Sequence, residues 1–164
     1  MRAFEALSWW RYALVVAPCF VIIGSLSGFV SNSGYGNGWF DALNKPALMP
    51  PGWVFGLTWT CLYILLGMAA GLVLAAPRSA IKRTAITLFG GQMLLNFAWS
   101  PIFFGRHQPV AGLAIILAIL GLSAAATTLL ARINRTAAWL MTPYLGWLSF
   151  ASWLNWQIIV LNSA

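Results

Sequence analysis

Three apolar stretches of the chain carry aromatic and neutral polar residues at helical spacing. Residues three, four or seven positions apart lie on one face of a helix, and amides in hydrocarbon must face protein or a cavity. Such a face suits a large, flat, apolar ligand with a few polar edges. It is equally typical of core packing, so the residues leave both interpretations open. The three sets are Trp59, Tyr63 and Gly67; Gln92, Asn96, Trp99 and Phe103; and Tyr144, Trp147, Ala151 and Asn155.

Residues for other kinds of chemistry are missing from these stretches. None contains Asp, Glu, Lys, Arg or His, which argues against proton-coupled carriers and ion channels. The single histidine, His107, lies in the short "GRHQP" turn, and no nucleophile elbow surrounds any serine. Cys19 and Cys61 have no metal-ligand spacing. We therefore assign no catalytic residue and no metal site.

The composition places the chain in a membrane. Hydrophobic residues make up 61% and charged residues 7%, against roughly a quarter charged in soluble domains. Apolar segments of about 20 residues are long enough to cross a bilayer as helices, and the lack of strict alternation disfavours a β-barrel. We predict an all-α integral membrane protein, a single domain over residues 1–164 built as a bundle of five transmembrane helices. The predicted spans are residues 12–30, 53–76, 84–104, 109–131 and 137–161.

The basic residues predict the orientation. Seven lie before span 1 or in the connections 2–3 and 4–5, and two lie on the opposite side, so the N-terminus is expected in the cytoplasm and the C-terminus outside. They form no patch that would favour nucleic acid. The first span exceeds the apolar region of a signal peptide and is expected to remain as a helix. The seven are Arg2, Arg11, Arg78, Lys82, Arg83, Arg132 and Arg135; the two are Lys45 and Arg106.

The connection between spans 1 and 2, residues 31–52 and here called the lid loop, is unusually long. Its 22 residues compare with roughly 2–8 in most helix–helix connections. Its second half, "WFDALNKP", predicts a short helix that places Trp39, Phe40 and Leu43 on one side before a proline. Three prolines reduce the entropy lost when the loop becomes ordered. We interpret it as a lid, although a connection that merely buries its own tryptophan has the same composition.

Two helices carry glycine pairs with GxxxG spacing, Gly24/Gly28 and Gly67/Gly71. Small residues at this spacing let helices approach closely. The pairs could serve packing within the bundle or a homodimer, and the pattern does not choose between them.

Three blocks of sequence together resemble a known family. They are "WFDALNKPALMPPGWVFGLTWTCLY", "GQMLLNFAWSPIFFG" and "TPYLGWLSFASWLNWQI". In order and spacing they are similar to the tryptophan-rich sensory protein/translocator protein family, also called the peripheral-type benzodiazepine receptors. The resemblance covers about residues 39–160.

The resemblance implies a five-helix bundle, often dimeric, that binds porphyrins and, in some members, sterols or benzodiazepine-type ligands. Two positions depart from the family pattern: Leu48 replaces a common Trp, and Phe40 replaces the usual Tyr. The C-terminal tail lacks the proposed sterol-recognition motif, so cholesterol is not the expected ligand. The implied ligand-binding residues are Trp39, Phe40, Pro50, Trp59, Tyr63, Asn96, Trp147 and Ala151.

The leading functional hypothesis is a membrane receptor or carrier for porphyrin-type tetrapyrroles. Such a protein needs no cofactor, and a porphyrin or haem-like tetrapyrrole is its ligand. The expected partners are this flat apolar molecule, the lipid bilayer and a second copy of the chain, and no nucleic acid. Two alternatives stay open: light-dependent porphyrin degradation, and a regulatory interaction protein without transport. Helical spans favour a bacterial inner membrane, while the resemblance leaves an outer membrane open.

Overall fold

The computed structural model describes residues 9–163, so Arg2 and Ala164 lie outside the described part. All regular elements in that part are helical. Five helices are long, and the short helix predicted in the lid loop is present. In chain order they are α1 (Trp9–Val30), α2 (Gly38–Ala42), α3 (Gly52–Ala75), α4 (Ala80–Ser100), α5 (Pro109–Ile133) and α6 (Arg135–Leu161), with a π-helical turn (Pro101–Gly105) after α4.

Helices α1, α3 and α5 are long and apolar enough to cross a membrane. This finding makes the chain an integral membrane protein, although it gives three such helices where the sequence predicted five spans. The other two long helices, α4 and α6, are less apolar. They carry buried polar side chains, including Gln92 and Asn96 in α4 and Asn155 in α6, and their first turns contain basic residues. These amides face protein, where they can hydrogen-bond.

The five long helices are neighbours in a ring. Helix α1 packs on α3, α3 on α6, α6 on α5 and α5 on α4, and a smaller contact between α4 and α1 closes the ring. The ring encloses a core of fully buried side chains, among them Leu66, Ile119, Met141 and Tyr144. The faces of α3, α4 and α6 that carry the predicted stripes turn toward this interior. We call the side of the bundle with the lid loop the loop end, and the opposite side the basic end.

Helices α1 and α3 touch backbone to backbone near the basic end. A methyl group built on Gly67 would collide with the backbone of Ala17, and one on Gly71 would lie 2.7 Å from the carbonyl oxygen of Trp9. Only glycine fits at either position. The Gly67/Gly71 pair therefore serves packing within the bundle.

The basic end is closed by side chains that cap helix termini. The Ser79 hydroxyl accepts a hydrogen bond from the Lys82 backbone N–H at the start of α4, and the Asn134 side chain accepts from Ala137 at the start of α6. The Lys82 ammonium donates to the carbonyls of Leu74 (2.8 Å) and Ala76 (2.6 Å), which end α3. Such caps supply partners for backbone groups that the first and last helical turns leave unpaired.

A proline shapes the loop end of α4. Pro101 has no N–H to donate to the carbonyl of Phe97, and the Ser27 hydroxyl of α1 donates to that oxygen instead, at 2.6 Å. The helix widens at this point into the π-turn, in which Arg106 N–H donates to the Pro101 carbonyl five residues back. Because residue 101 is proline, the Phe97 carbonyl accepts its hydrogen bond from α1 and not from within α4.

The first half of the lid loop is held by its own polar groups. Gly34 and Gly36 have positive φ angles of 99° and 94°, which glycine adopts without strain. The Asn37 side chain accepts hydrogen bonds from the N–H groups of Trp39 and Phe40 and so caps α2.

The second half of the lid loop is bonded to the end of α6. Asn44 N–H donates to the Asn162 side-chain oxygen at 2.9 Å, and the Asn162 amide donates back to the Asn44 carbonyl at 3.0 Å. These residues are 118 positions apart in the chain. The reciprocal pair closes the loop end of the bundle.

A candidate ligand cavity beneath the lid loop

A cavity of about 500 Å³ lies beneath the lid loop, mainly between α1, α3 and α4, with Ile116 and Ile119 of α5 and Leu148 of α6 also in its lining. Its volume falls in the range of small-molecule sites, about 300–1,000 Å³. Aromatic rings, small residues and neutral polar groups line it, and within residues 9–163 no Asp, Glu, Lys, Arg or His is among the lining residues. The cavity therefore suits a mostly apolar molecule.

Helix α3 supplies one aromatic wall of the cavity. Phe55, Trp59 and Tyr63 line it at intervals of four residues, one above the other along the helix face. The ring of Trp59 lies 5.4 Å from that of Tyr63, centroid to centroid. Trp99 and Phe104 contribute further rings from α4 and the turn after it. A flat ligand would meet aromatic surface, which is worth about 0.5–1.5 kcal/mol per ring pair beyond area burial.

The polar wall of the cavity is the outer end of a buried hydrogen-bond chain. Tyr63 Oη donates to Asn96 Oδ1 at 2.8 Å, and Asn96 Nδ2 donates to Tyr144 Oη at 3.0 Å. Tyr144 Oη then donates to Gln92 Oε1 at 2.7 Å, as does Ser123 Oγ at 3.3 Å. Tyr63 and Asn96 line the cavity, whereas Tyr144, Gln92 and Ser123 have no exposed surface.

The lid loop forms the roof. The Phe40 ring is buried and packs edge-on against the ring of Phe104, with 5.1 Å between centroids. Tyr35 packs edge-on against Phe40 at 5.7 Å, and its hydroxyl donates to the carbonyl of Pro50. The ammonium of Lys45 lies 4.9 Å from the centre of the Phe40 ring, within the range of cation–π attraction. Within the roof, the Phe40 ring is thus packed as in a core, whereas Tyr35 stays half exposed.

The eight predicted site residues fall into two groups. Phe40, Trp59, Tyr63 and Asn96 line the cavity together. The remaining four lie outside its lining, so contact between them and a ligand stays a prediction. They are Trp39, Pro50, Trp147 and Ala151.

Two of the four form a second layer of aromatic contacts. Trp147 packs edge-on against Phe55 and Trp59, with centroids 5.7 Å and 6.5 Å away, and its buried indole N–H has no partner among the described residues. Trp39 stacks on the exposed His107 ring at 4.6 Å and 13°. His107 therefore belongs to the anchorage of the lid loop.

The amide of Asn155, which could have faced either a cavity or another helix, bonds across helices. Its Nδ2 donates to the Pro109 carbonyl at 2.8 Å. Asn96 has both roles, because its side chain hydrogen-bonds to Tyr63 of α3 and Tyr144 of α6 and it also lines the cavity.

Sequence reasoning missed the contribution of α1. Gly24, Ser27 and Gly28 line the cavity together with the exposed Ser25, and they face Gly56 and Thr60 of α3. The run "GSLSG" of small residues was the available signal, because small residues leave space beside a neighbouring helix. Phe55 was also missed, although it continues the Trp59–Tyr63 stripe by one turn.

Comparison with known proteins agrees with this architecture. Residues 15–161 match the profile of the TspO/MBR family. The chain belongs to this family. It is 37% identical to the translocator protein of Homo sapiens over 149 residues, which cover 88% of both chains.

Two bacterial relatives show similar agreement. The chain is 38% identical to the tryptophan-rich protein TspO of Chlorobaculum tepidum over 125 residues, 76% of this chain and 79% of the relative. It is 36% identical to the tryptophan-rich sensory protein of Cereibacter sphaeroides over 124 residues, 76% of this chain and 77% of the relative. The resemblance inferred from the sequence blocks is confirmed, and family membership supports a membrane receptor or transporter role.

Proposed function

We propose that this TspO/MBR protein is a membrane receptor or carrier that binds porphyrin-type tetrapyrroles in the cavity beneath the lid loop. The observation that carries the proposal is a cavity of about 500 Å³ walled by Trp59, Tyr63 and Phe55, with no charged side chain among the described residues that line it. A flat macrocycle gains from ring stacking and apolar burial there. The amide of Asn96 and the hydroxyl of Tyr63 offer hydrogen bonds to its polar edge.

Protoporphyrin titration in nanodiscs tests the site. The porphyrin absorbance band is followed in the dark, so that light-driven chemistry does not contribute. We expect Trp59→Ala to weaken binding by about tenfold or more, the order expected for loss of a large apolar contact. The matched control is Trp139→Ala, because Trp139 is exposed, lies in the first turns of α6 and is absent from the cavity lining.

Trp147 is tested in the same titration. If it contacts ligand from behind Trp59, the Trp59→Ala, Trp147→Ala double variant binds more weakly than Trp59→Ala alone. Wild-type affinity in the double variant would exclude this cavity as the porphyrin site. Flux of porphyrin into proteoliposomes then separates a carrier from a receptor, because a receptor gives saturable binding without entry.

We further propose that all five long helices cross the membrane as one domain, with the lid loop and the C-terminus outside a bacterial inner membrane. The support is the distribution of basic residues, which are concentrated at the basic end. Single cysteines at Ser33 and Arg78, in a chain whose Cys19 and Cys61 are replaced by alanine, test this in intact cells. An impermeant maleimide should label the first position and spare the second. A homodimer is tested by cross-linking in the same membranes.

A further inference from the structure

We propose that the buried chain Tyr63–Asn96–Tyr144–Gln92 is a reversible hydrogen-bond relay. Through this relay the Tyr63 hydroxyl can either accept a hydrogen bond from the bound ligand or donate one to it. The orientation of the Gln92 amide determines which of the two occurs. The inference rests on the proposed ligand site and specifies the ligands which that site accepts: flat aromatic molecules with one polar group of either hydrogen-bonding sense.

In the first arrangement every hydrogen of the relay points inward. Tyr63 donates to Asn96, Asn96 to Tyr144, and Tyr144 to Gln92 Oε1. The Tyr63 oxygen then has only lone pairs left for the cavity, so it accepts a hydrogen bond from a ligand. The Gln92 Nε2 group, buried and without a partner among the described residues, carries the cost of this arrangement.

In the second arrangement the relay runs outward. A half-turn of the Gln92 amide exchanges its two ends, so that Nε2 lies 2.7 Å from Tyr144 Oη and 3.3 Å from Ser123 Oγ, the positions now held by Oε1. The Tyr144 hydroxyl turns to Asn96, whose amide also makes a half-turn and donates to Tyr63. The Tyr63 hydrogen is then free to point into the cavity as a donor.

The geometry permits both arrangements because all the distances, from 2.7 to 3.3 Å, suit hydrogen bonds in either direction. The number of links is the same. The arrangements differ at the two ends of the relay: which atom of the Gln92 amide is unpaired, and whether the ligand donates or accepts at Tyr63. A ligand shifts such an equilibrium by its difference in affinity for the two states.

The position of Tyr63 Oη makes it the ligand-facing end. Tyr63 lines the cavity, and its hydroxyl packs against Gly24, which lines the cavity as well. Gln92 is the opposite end, 0% exposed and absent from the cavity lining. Gln92 is therefore a positioning residue that acts on the ligand through three other side chains, Tyr144, Asn96 and Tyr63.

Three flat tricyclic probes of nearly equal size test the relay: fluorene, which has no polar group, carbazole, which has an N–H donor, and 9-fluorenone, which has a carbonyl acceptor. Binding is measured by equilibrium dialysis of protein in nanodiscs against protein-free nanodiscs, which removes partition into lipid. We expect the wild-type protein to bind carbazole and fluorenone each about two- to tenfold more tightly than fluorene, the gain of one net hydrogen bond.

The variant that fixes the direction is Gln92→Met. The substitution is made in a Ser123→Ala background, because the Ser123 hydroxyl also lies beside Tyr144 and would accept its hydrogen instead. Methionine has nearly the shape of glutamine but has no carbonyl to accept from Tyr144, so in this background the Tyr144 hydrogen must turn to Asn96 and Tyr63 must donate. We expect Gln92→Met to keep the preference for fluorenone and to lose the preference for carbazole. Tyr63→Phe should lose both preferences and still bind fluorene. Ser123→Ala, which leaves the main relay intact, is the matched control and should behave as the wild-type protein does.

The possible outcomes test the relay and the ligand site as two separate hypotheses. If none of the probes binds the wild-type protein, the cavity is not a ligand site, and the proposed function fails with the relay. If all three bind equally, or if Gln92→Met changes neither preference, the relay is wrong while the site stands. Should Gln92→Met fail to fold, the wild-type and Tyr63→Phe measurements decide, because a relay of fixed direction favours only one of the two polar probes.

Discussion

Helices α1 and α3 are in contact at one end of the bundle and separated at the other. Near the basic end, Gly67 and Gly71 meet the small residues of α1, and the two backbones touch. Half-way along, the space widens to the thickness of one ring, since Gly24 packs on Tyr63. Toward the loop end, a methyl group on Gly56 would meet no atom of the described residues within 4 Å, and Gly56 lines the cavity.

The same type of residue therefore has opposite effects at the two ends. A glycine brings helices together when the facing residue is also small, as Ala17 is at Gly67. It leaves a void when nothing facing it fills the space, as at Gly56. Glycine spacing alone does not distinguish a helix contact from a ligand cavity, because the facing helix decides.

The largest loss of stability is expected from a large side chain in the closed region, where the backbones of α1 and α3 touch at Gly67 and Gly71. Gly67→Leu would drive α1 away from α3 and cost about 3 kcal/mol, the upper range for overpacking. Thermal unfolding in detergent, followed by helical circular dichroism, measures the loss. The control is Gly90→Leu, because Gly90 of α4 faces open space. Equal stability of the two variants would contradict the closed region.

A glycine-to-leucine substitution in the open region, where α1 and α3 are separated by the cavity, should lower ligand affinity without lowering stability. Gly56→Leu would project into the cavity and leave the unfolding midpoint unchanged, while porphyrin affinity falls by about tenfold or more, as for other misfits in a pocket. Titration and unfolding are measured on one preparation. Unchanged affinity would show that the ligand lies elsewhere.

Between these two regions, only the ring of Tyr63 separates α1 from α3 at Gly24, and a single added methyl group should lower stability there. Gly24→Ala would displace the Tyr63 ring and strain its bond to Asn96, at a cost of about 1 kcal/mol in unfolding free energy. In a Tyr63→Leu background the added methyl should cost less, since the ring is gone. A double-mutant cycle of unfolding free energies measures this difference, and full additivity would rule out the contact.

The smallest effect is expected where the roof is attached to α6. Asn162→Ala removes the reciprocal pair with Asn44 and should cost roughly 0.5–1 kcal/mol, the usual net value of exchanging such bonds for water. Amide hydrogen exchange should rise in residues 38–46 and stay constant in α3. Ser163→Ala, which removes only a local bond to Val160, is the control. Faster exchange throughout the bundle would mean that the pair stabilises the whole fold.

The sequence predicted those parts of the fold that depend on local patterns. The helices have the expected order, the residue stripes of α3, α4 and α6 face the interior, and the short helix of the lid loop lies where its proline predicted. These features follow from helical periodicity and backbone restrictions, which act within a few residues. Family membership followed from the order of the motif blocks.

Features that depend on how two helices are aligned could not be predicted. Gln92 meets Tyr144 across 52 positions, and nothing near either residue specifies the partner. The ring of Trp39 stacks on His107, which belongs to a turn whose distance from the lid loop the sequence does not give. Trp147 lies behind Trp59 because α6 meets α3 at that level, a matter of axial shift between the helices.

The bond from Ser27 to the Phe97 carbonyl also bears on how the chain is assembled. On the proposed topology, in which α4 crosses the membrane, the oxygen that Pro101 leaves without a donor lies in hydrocarbon and has no water to satisfy it. Helix α1 is synthesised before α4, so the hydroxyl that this carbonyl requires is already in the bilayer when α4 is inserted. Exchanging the order of these two segments in the gene would leave α4 to enter lipid with an exposed polar group, which translation in the natural order avoids.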